Sequence, residues 1–143
     1  MKDKIVIFEG IDRSGKDTSQ IAFQEATGYM VPTINRFLAS HWVYGIHKRK
    51  MTREEAEVFI DMEKLLKPDN YFQVYLYAPE STIKDRMRDT GETDIEAEDV
   101  NEIQYLYWEW LKLTTIDTIS IDTSRYSPEG IAEEIWKNLS GIT

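Results

Sequence analysis

Short apolar runs alternate with amphipathic segments along the whole chain, and this alternation predicts the fold. Runs rich in β-branched or aromatic residues occupy positions 4–9, 29–34, 71–77 and 115–121, and they predict strands, the first of them buried. Pro32 lies in the second run, which it either shortens or places at a sheet edge.

Segments of helical periodicity separate these runs. They predict helices over residues 16–27, 37–48, 53–66, 79–89 and 95–113, and a last helix that begins at Pro128. Thr52 and Glu55 have the spacing of a capping box at the start of the third helix. In the fifth, Tyr105 and Trp108 share one face, which we expect to pack into the core. Strands that alternate with helices predict a parallel sheet covered on both faces.

A glycine-bearing loop lies between the first predicted strand and the first predicted helix. Its sequence, GIDRSGK over residues 10–16, fits the G-x-x-x-x-G-K pattern of a phosphate-binding loop, or P-loop. Such a loop turns backbone N–H groups toward phosphate oxygens, and the following helix N-terminus adds a favourable dipole. Lys16 supplies a positive charge for the β- and γ-phosphates. We expect ATP to be held by Gly10, Ser14, Gly15, Lys16, Asp17 and Thr18.

The residue after Lys16 departs from the usual pattern. P-loops carry Ser or Thr there, whereas this chain has Asp17, with Thr18 next. The predicted Mg²⁺ ligands are therefore Thr18 and Asp17, since hydroxyl and carboxylate oxygens suit this ion. A surface acid without a role in the site is the alternative for Asp17.

Composition narrows the functional class. The 143 residues fit one domain, a P-loop kinase domain over 1–143, and 41% apolar with 30% charged residues is typical of a globular chain. The absence of cysteine excludes disulfides and thiolate zinc sites.

No apolar run could span a bilayer and the first strand begins at once, so we expect a cytoplasmic protein without a membrane partner. A net charge of −9 disfavours nucleic acid. Residues 47–53 form a basic cluster, which is either a solvated turn between helices or a contact for a phosphate-bearing substrate.

Two motifs resemble the thymidylate kinase family. Residues 8–20, FEGIDRSGKDTSQ, are similar to the family's loop, F-E-G-x-D-x-x-G-K-[ST]-T-x-Q. Residues 35–44, NRFLASHWVY, are similar to its D-R-Y-x-x-S-x-x-A-[YF] motif. The resemblance implies a mostly parallel, three-layer α/β fold of the P-loop NTPase class, reduced from the nucleoside monophosphate kinase type. It also implies ATP, Mg²⁺ and a nucleotide substrate, with a homodimer as a candidate assembly.

The resemblance also implies roles for individual residues. Arg36 would bind the acceptor phosphate, Tyr44 would pack on the deoxyribose, and Asp12 would reach the acceptor sugar. Arg13 would stabilise the transferring phosphoryl group, because residues 89–102, the segment that would close over the site, carry no arginine or lysine. Arg86 and Arg88 flank this segment and are secondary candidates for the same role, with exposed helix charges as the alternative. The catalytic set is then Arg13, Lys16 and Asp12, and the substrate set is Asp12, Asn35, Arg36, Ser40 and Tyr44. Which of Glu9, Asp12 and Asp17 contacts the metal or the acceptor hydroxyl stays open.

Two departures from the family's sequence leave the identity of the phosphate acceptor undecided. Asn35 replaces the aspartate before the arginine, and residues 28–34 are too few to hold the segment that recognises thymine in the family. The main hypothesis is phosphoryl transfer to a thymidine-like deoxynucleotide such as dTMP. A second is a kinase that phosphorylates 5-hydroxymethyluracil in DNA, as in some phage proteins of this type. A third is a non-catalytic nucleotide-binding protein.

Overall fold

Four strands form the sheet, in the order β2-β1-β3-β4. The structure, a computed structural model, describes residues 4–90 and 96–140. The strands are β1 (Ile5–Glu9), β2 (Thr33–Asn35), β3 (Tyr71–Tyr77) and β4 (Thr118–Asp122). All three strand pairings among the described residues are parallel, which confirms the predicted sheet. Because β1 and β3 lie in the middle, their carboxyl ends are adjacent at one edge of the sheet.

Six helices connect and cover the strands within the described residues. They are α1 (Lys16–Ala26), α2 (Leu38–His47), α3 (Arg53–Leu65), α4 (Glu80–Thr90), α5 (Val100–Leu113) and α6 (Pro128–Leu139). Short 3₁₀ turns precede β3 at Pro68–Asn70 and α5 at Ala97–Asp99. The capping box of α3 forms as predicted, with Thr52 accepting from the Glu55 amide. None of these helices is long and apolar enough to cross a membrane.

Two hydrophobic cores lie on opposite faces of the sheet. On one face, Phe72, Val74 and Leu76 of β3 share a buried cluster with residues of α1 and α6. On the other, Tyr75 packs into the cluster built by α2, α3, α4 and α5. This alternation along β3 follows from the two-residue period of a strand. The outcome is the three-layer arrangement of helices, sheet and helices that the alternating sequence predicts.

The second strand is shorter than predicted, three residues instead of six. The first part of the predicted run is a turn, because Gly28 and Tyr29 both have positive φ and the Tyr29 amide donates to Gln24 O at the end of α1. Pro32 lies just before β2, where its carbonyl accepts from the Val6 amide. The prediction that Pro32 shortens this edge strand is confirmed.

The predicted buried stripe of the fifth helix is wrong. Tyr105 and Trp108 are 57% and 53% exposed. The buried face of α5 holds instead Ile103, Leu106, Tyr107 and Trp110, whose i, i+3, i+4, i+7 spacing makes the wider apolar stripe. The start of the predicted helix also differs, since α5 begins at Val100 and residues 91–95 lie outside the described residues.

Gly10, at the end of β1, provides a test of the packing. A Cβ atom there would lie 2.4 Å from the Leu76 carbonyl oxygen, whereas one at Gly28 would meet nothing within 4 Å. Both glycines have positive φ, so Gly28→Ala controls for backbone strain. We expect Gly10→Ala to lower the free energy of unfolding by at least about 2 kcal/mol more than Gly28→Ala does. Chemical denaturation measures both values, and equal losses would contradict the close approach of β1 and β3.

Candidate active site

The loop between β1 and α1 forms the centre of the site. Gly10 and Gly15 have φ values of 155° and 92°, and Arg13 has a φ of 66° between them. These angles curl the backbone into a concave surface in front of the N-terminus of α1. The Ser14 hydroxyl is buried in the loop with no hydrogen-bond partner. A buried, unpartnered hydroxyl is rare, and in a concave loop it is a ready donor for a bound anion.

A cavity of about 520 Å³ opens on this loop. Its walls include Arg86 and Thr90 from α4, and Thr123 and Tyr126 from the segment between β4 and α6. The Arg86 guanidinium donates to the carbonyl of Arg13 at 2.8 Å and to the Thr123 hydroxyl at 3.1 Å. Thr123 in turn donates to the carbonyl of Ser14. Two elements distant in the chain therefore hold the loop in shape. We call this space the loop cavity.

Lys16 is the first residue of α1 and is mostly buried. Its ammonium group lies 2.6 Å from Asp17 Oδ1 and 2.5 Å from Asn35 Oδ1 at the end of β2. The Asn35 amide also donates to Asp17 Oδ1 at 2.9 Å. Hydrogen bonds from Lys16 and then from Asn35 lower the pKa of Asp17, so its carboxylate is ionised at neutral pH. Asp17, in place of the usual Ser or Thr, and Asn35, in place of the family's aspartate, thus form one polar cluster around Lys16.

A second cavity, of about 320 Å³, lies beside the loop on the side of α2. We call it the α2 cavity. Arg36 donates to Asp12 Oδ1 at 2.6 Å, and its guanidinium carbon lies 5.4 Å from the centre of the Tyr44 ring. Burial raises the pKa of Tyr44 to about 12, so its ring stays neutral under the arginine. The lining is Asp12, Arg36, Phe37, Ser40, His41, Tyr44, Lys48 and Arg49.

Asp12 lines both cavities. The two cavities therefore share this residue of the loop in their walls. Of the predicted ATP-binding residues, Gly10, Ser14 and Gly15 lie on the loop, whereas Lys16, Asp17 and Thr18 lie in the first turn of α1. The last four of these six residues line the loop cavity. The predicted substrate residues Arg36, Ser40 and Tyr44 lie in the α2 cavity, while Asn35 lies next to Lys16.

Arg13 lines the loop cavity, and its Nε donates to Thr90 Oγ1 at 2.9 Å. Part of the segment expected to close over the site, residues 91–95, lies outside the described residues. Arg86 was only a secondary candidate from the sequence, and Thr123 had no predicted role in the site. The basic cluster was the signal for Lys48 and Arg49, which line the α2 cavity.

Glu9 does not face either cavity. It is 1% exposed, and its two oxygens accept from the Phe37 amide at 2.7 Å and from the Ser40 hydroxyl at 2.6 Å. Burial raises the pKa of Glu9, and these hydrogen bonds oppose the rise. Since protein donors occupy both oxygens, Glu9 is not placed to bind a metal ion or an acceptor hydroxyl.

The parallel sheet and the loop between β1 and α1 form a three-layer α/β fold of the P-loop type. The structure is similar to the crystal structure of YorR from Bacillus subtilis in complex with phosphorylated GDP, with a TM-score of 0.76 and 24% identity over 96% of each chain. It is also similar to deoxyadenosine kinase from M. mycoides with bound dCTP, with a TM-score of 0.67 and 15% identity over 97% of this chain and 100% of that one. Because both sequence identities are low, these likenesses establish the fold alone and not the activity.

Sequence comparison gives a shorter match. A segment of 62 residues is 40% identical to YorR, an uncharacterized protein derived from the SPbeta prophage of Bacillus subtilis strain 168. The matched segment spans 43% of this chain and 38% of the relative's length. No family model matches the chain. The chain is therefore similar to a prophage protein and has a kinase fold, and the closer resemblance to thymidylate kinases stays a prediction.

The raised pKa of Glu9 predicts a pH dependence of stability. Above its ordinary pKa of 4.5, the unfolded chain releases the Glu9 proton while the folded chain still holds it. The contribution of Glu9 to folding stability must then fall as the pH rises through this window. We expect the free energy of unfolding of the wild type, minus that of Glu9→Gln, to decrease between about pH 4 and pH 7. Urea denaturation across this range measures the difference, and an increase with pH would show that hydrogen bonding outweighs burial.

Proposed function

We propose that the protein transfers the γ-phosphoryl group of ATP, with Mg²⁺, to a thymidine-like deoxynucleotide such as dTMP. One observation carries this proposal: the cavity at the loop and the cavity with Arg36 in its wall share one lining residue, Asp12. Phosphoryl transfer requires two substrates held in line within a charged site, and little else from the protein. The similarity to a deoxyadenosine kinase fold supports the same class of reaction.

The donor would lie in the loop cavity. Backbone N–H groups between Gly10 and Lys16, together with the unpartnered Ser14 hydroxyl, would hold its phosphates. Lys16 would exchange the Asn35 oxygen for a phosphate oxygen, since its ammonium group already lies at the loop. Its charge then neutralises phosphate rather than Asp17.

The residues at the end of the loop fit a magnesium ion. Mg²⁺ prefers one or two carboxylates together with phosphate oxygens and waters. Asp17 is exposed and its pKa is lowered, so it offers an ionised carboxylate, and the exposed Thr18 offers a hydroxyl. The ion would neutralise charge on the phosphates during transfer. Asp17 would orient it, and Asn35 would keep the carboxylate in place through its 2.9 Å hydrogen bond.

Two arginines would act on the phosphoryl group and the acceptor. Arg13 projects from the loop at the cavity wall, where it would stabilise charge on the transferring group. Arg36 would bind the acceptor phosphate, and Asp12 would hold this arginine in place and reach the acceptor sugar. Tyr44 would pack on the deoxyribose, while Ser40 would line the same wall.

A specific observation favours a second acceptor, a base within DNA. Lys48 and Arg49 line the α2 cavity together with Arg36, which gives this space three cations and one carboxylate, Asp12. A free monophosphate needs fewer cations than this, whereas a strand with successive phosphates would use them all. The net charge of −9 opposes this alternative.

Lys16→Ala tests the donor site. The substitution removes the charge that would contact the β- and γ-phosphates, so transfer should fall below detection. Lys64→Ala, an exposed lysine of α3, is the matched control and should keep full activity. A labelled-phosphate transfer assay together with circular dichroism checks both variants. Normal turnover by folded Lys16→Ala would exclude the donor site, and no turnover by any form would favour the non-catalytic alternative.

Arg13→Ala tests stabilisation of the transition state. Loss of such an arginine typically lowers kcat by about 10³-fold or more, while ATP binding changes little. Arg88→Ala is the control, because Arg88 is paired with Asp85 and lines neither cavity. Steady-state kinetics separates kcat from KM. A loss confined to KM would mean that Arg13 only binds ground-state phosphate.

The acceptor is tested with dTMP and with single-stranded DNA that contains a modified pyrimidine. If dTMP is the acceptor, Arg36→Ala should raise its KM at least about tenfold, since a charged hydrogen bond is lost. If DNA is the acceptor, affinity should fall steeply with salt, and replacing Lys48 and Arg49 by Ala should reduce the slope by about 1.4. Replacing Lys64 and Lys67 by Ala removes the same charge elsewhere and should leave the slope unchanged. Transfer to dTMP alone would eliminate the DNA alternative.

A further inference from the structure

Two buried polar side chains have no part in the chemistry proposed above. Glu9 and Tyr107 are each 1% exposed, and neither lines a cavity. Burying a carboxyl group and a phenol hydroxyl is costly unless every polar atom has a partner. Their hydrogen bonds connect the turn that carries Arg36 to the loop between β1 and α1.

Glu9 holds a strained turn that carries Arg36. The backbone of Arg36 is left-handed, with a φ of 65°, which costs a non-glycine residue on the order of 1–2 kcal/mol. The amides on both sides of its Cα are held by the end of β1. The Arg36 amide donates to Phe8 O at 2.8 Å, and the Phe37 amide donates to Glu9 Oε2 at 2.7 Å.

Glu9 also caps the helix that follows this turn. Phe37 is the N-cap residue of α2 and has no side-chain hydrogen bond to offer. Glu9 Oε2 accepts from the amides of Phe37 and Ser40, at 2.7 and 3.4 Å. A carboxyl group from another strand thus does what an N-cap side chain does in most helices. The contact therefore joins the end of β1 to the start of α2, the helix that carries Tyr44.

Tyr107 connects the same group to the phosphate loop. Ser40 donates to Glu9 Oε1 at 2.6 Å. The Tyr107 hydroxyl lies 2.7 Å from Ser40 Oγ and 3.3 Å from the Gly10 carbonyl oxygen, and it shares its one hydrogen between these two acceptors. The Tyr107 ring also packs edge-on against Tyr44, with the ring centres 6.3 Å apart. A continuous set of hydrogen bonds therefore joins the first residue of the loop to the start of α2.

We propose that Glu9 and Tyr107 are positioning residues that fix Arg36 and Tyr44 relative to the phosphate loop. The inference rests on the proposed function, in which Arg36 binds the acceptor. Transfer requires the acceptor within a few tenths of an ångström of its in-line position, and a displacement of about 1 Å can cost on the order of 10²-fold in rate. Without these bonds the strained turn relaxes, and Arg36 leaves its place beside Asp12.

Tyr107→Phe is the sharpest test, because it removes one hydroxyl and keeps the ring contacts. We expect the KM for dTMP to rise at least about fivefold while the KM for ATP stays within about twofold. Tyr75→Phe is the matched control: its ring lies 5.4 Å from that of Tyr107, and it makes no hydrogen bond to Glu9 or Ser40. A purely structural role would lower the melting temperature and change both KM values alike.

Glu9→Gln and Glu9→Ala give a rescue test. Glutamine keeps one oxygen to accept from the Phe37 amide, whereas alanine keeps none. The dTMP KM of Glu9→Gln should therefore lie closer to the wild-type value than that of Glu9→Ala does. Equal KM values for the two variants, when both are folded by circular dichroism, would overturn the proposal.

An NMR measurement separates this inference from the proposed function. The ¹⁵Nε resonance of Arg36, assigned from its loss in Arg36→Lys, reports the environment of the guanidinium without any turnover. It should shift in Tyr107→Phe and stay unchanged in Tyr75→Phe. An unchanged resonance in Tyr107→Phe overturns the positioning role. A shifted resonance in a protein that transfers phosphate to no acceptor supports the positioning role and contradicts the kinase.

Discussion

The close approach of β1 to β3 at Gly10 is the constraint on which the site depends. A side chain at this position would collide with the Leu76 carbonyl, so the chain can enter the loop only through a glycine. From there the loop curls with its amides exposed on one side, while Arg86 and Thr123 hold its carbonyls on the other. The phosphate site is therefore a property of backbone packing, and its side chains add charge to a shape that already exists.

The α2 cavity, the proposed acceptor site, is held by polar contacts inside a hydrophobic layer. α2 lies over the sheet beside α5, and its apolar face contributes Leu38, Trp42 and Val43 to the core. Hydrophobic burial holds the helix against the sheet but does not fix its rotation or its end, because it has no direction. In the positioning role that we propose, directional bonds from Glu9 and Tyr107 supply that missing constraint. Buried polar networks that are fully satisfied specify one arrangement in this way.

Local patterns in the sequence predicted the parts of the site that lie within single segments. The loop from Gly10 to Lys16 and the segment from Asn35 to Tyr44 each combine a recognisable spacing with a strand before and a helix after, and both lie where expected. Contacts between distant segments left no such signal, as with Arg86, which is 73 residues from the Arg13 carbonyl it holds. The stripe of α5 was misread because two faces of that helix carry aromatic residues, and only the tertiary packing decides which is buried.

The most direct test of a two-substrate site is the crystal structure of the protein with Mg²⁺ and a bisubstrate analogue in which adenosine and thymidine are joined by a polyphosphate. The adenosine should lie in the loop cavity between Arg86 and Tyr126, and the thymidine in the α2 cavity beside Arg36 and Tyr44. The linking phosphates should pass Asp12 and contact Lys16 and Arg13. Binding of the adenosine half alone, with the thymidine half outside the α2 cavity, would contradict the account and leave a nucleotide-binding protein without an acceptor site.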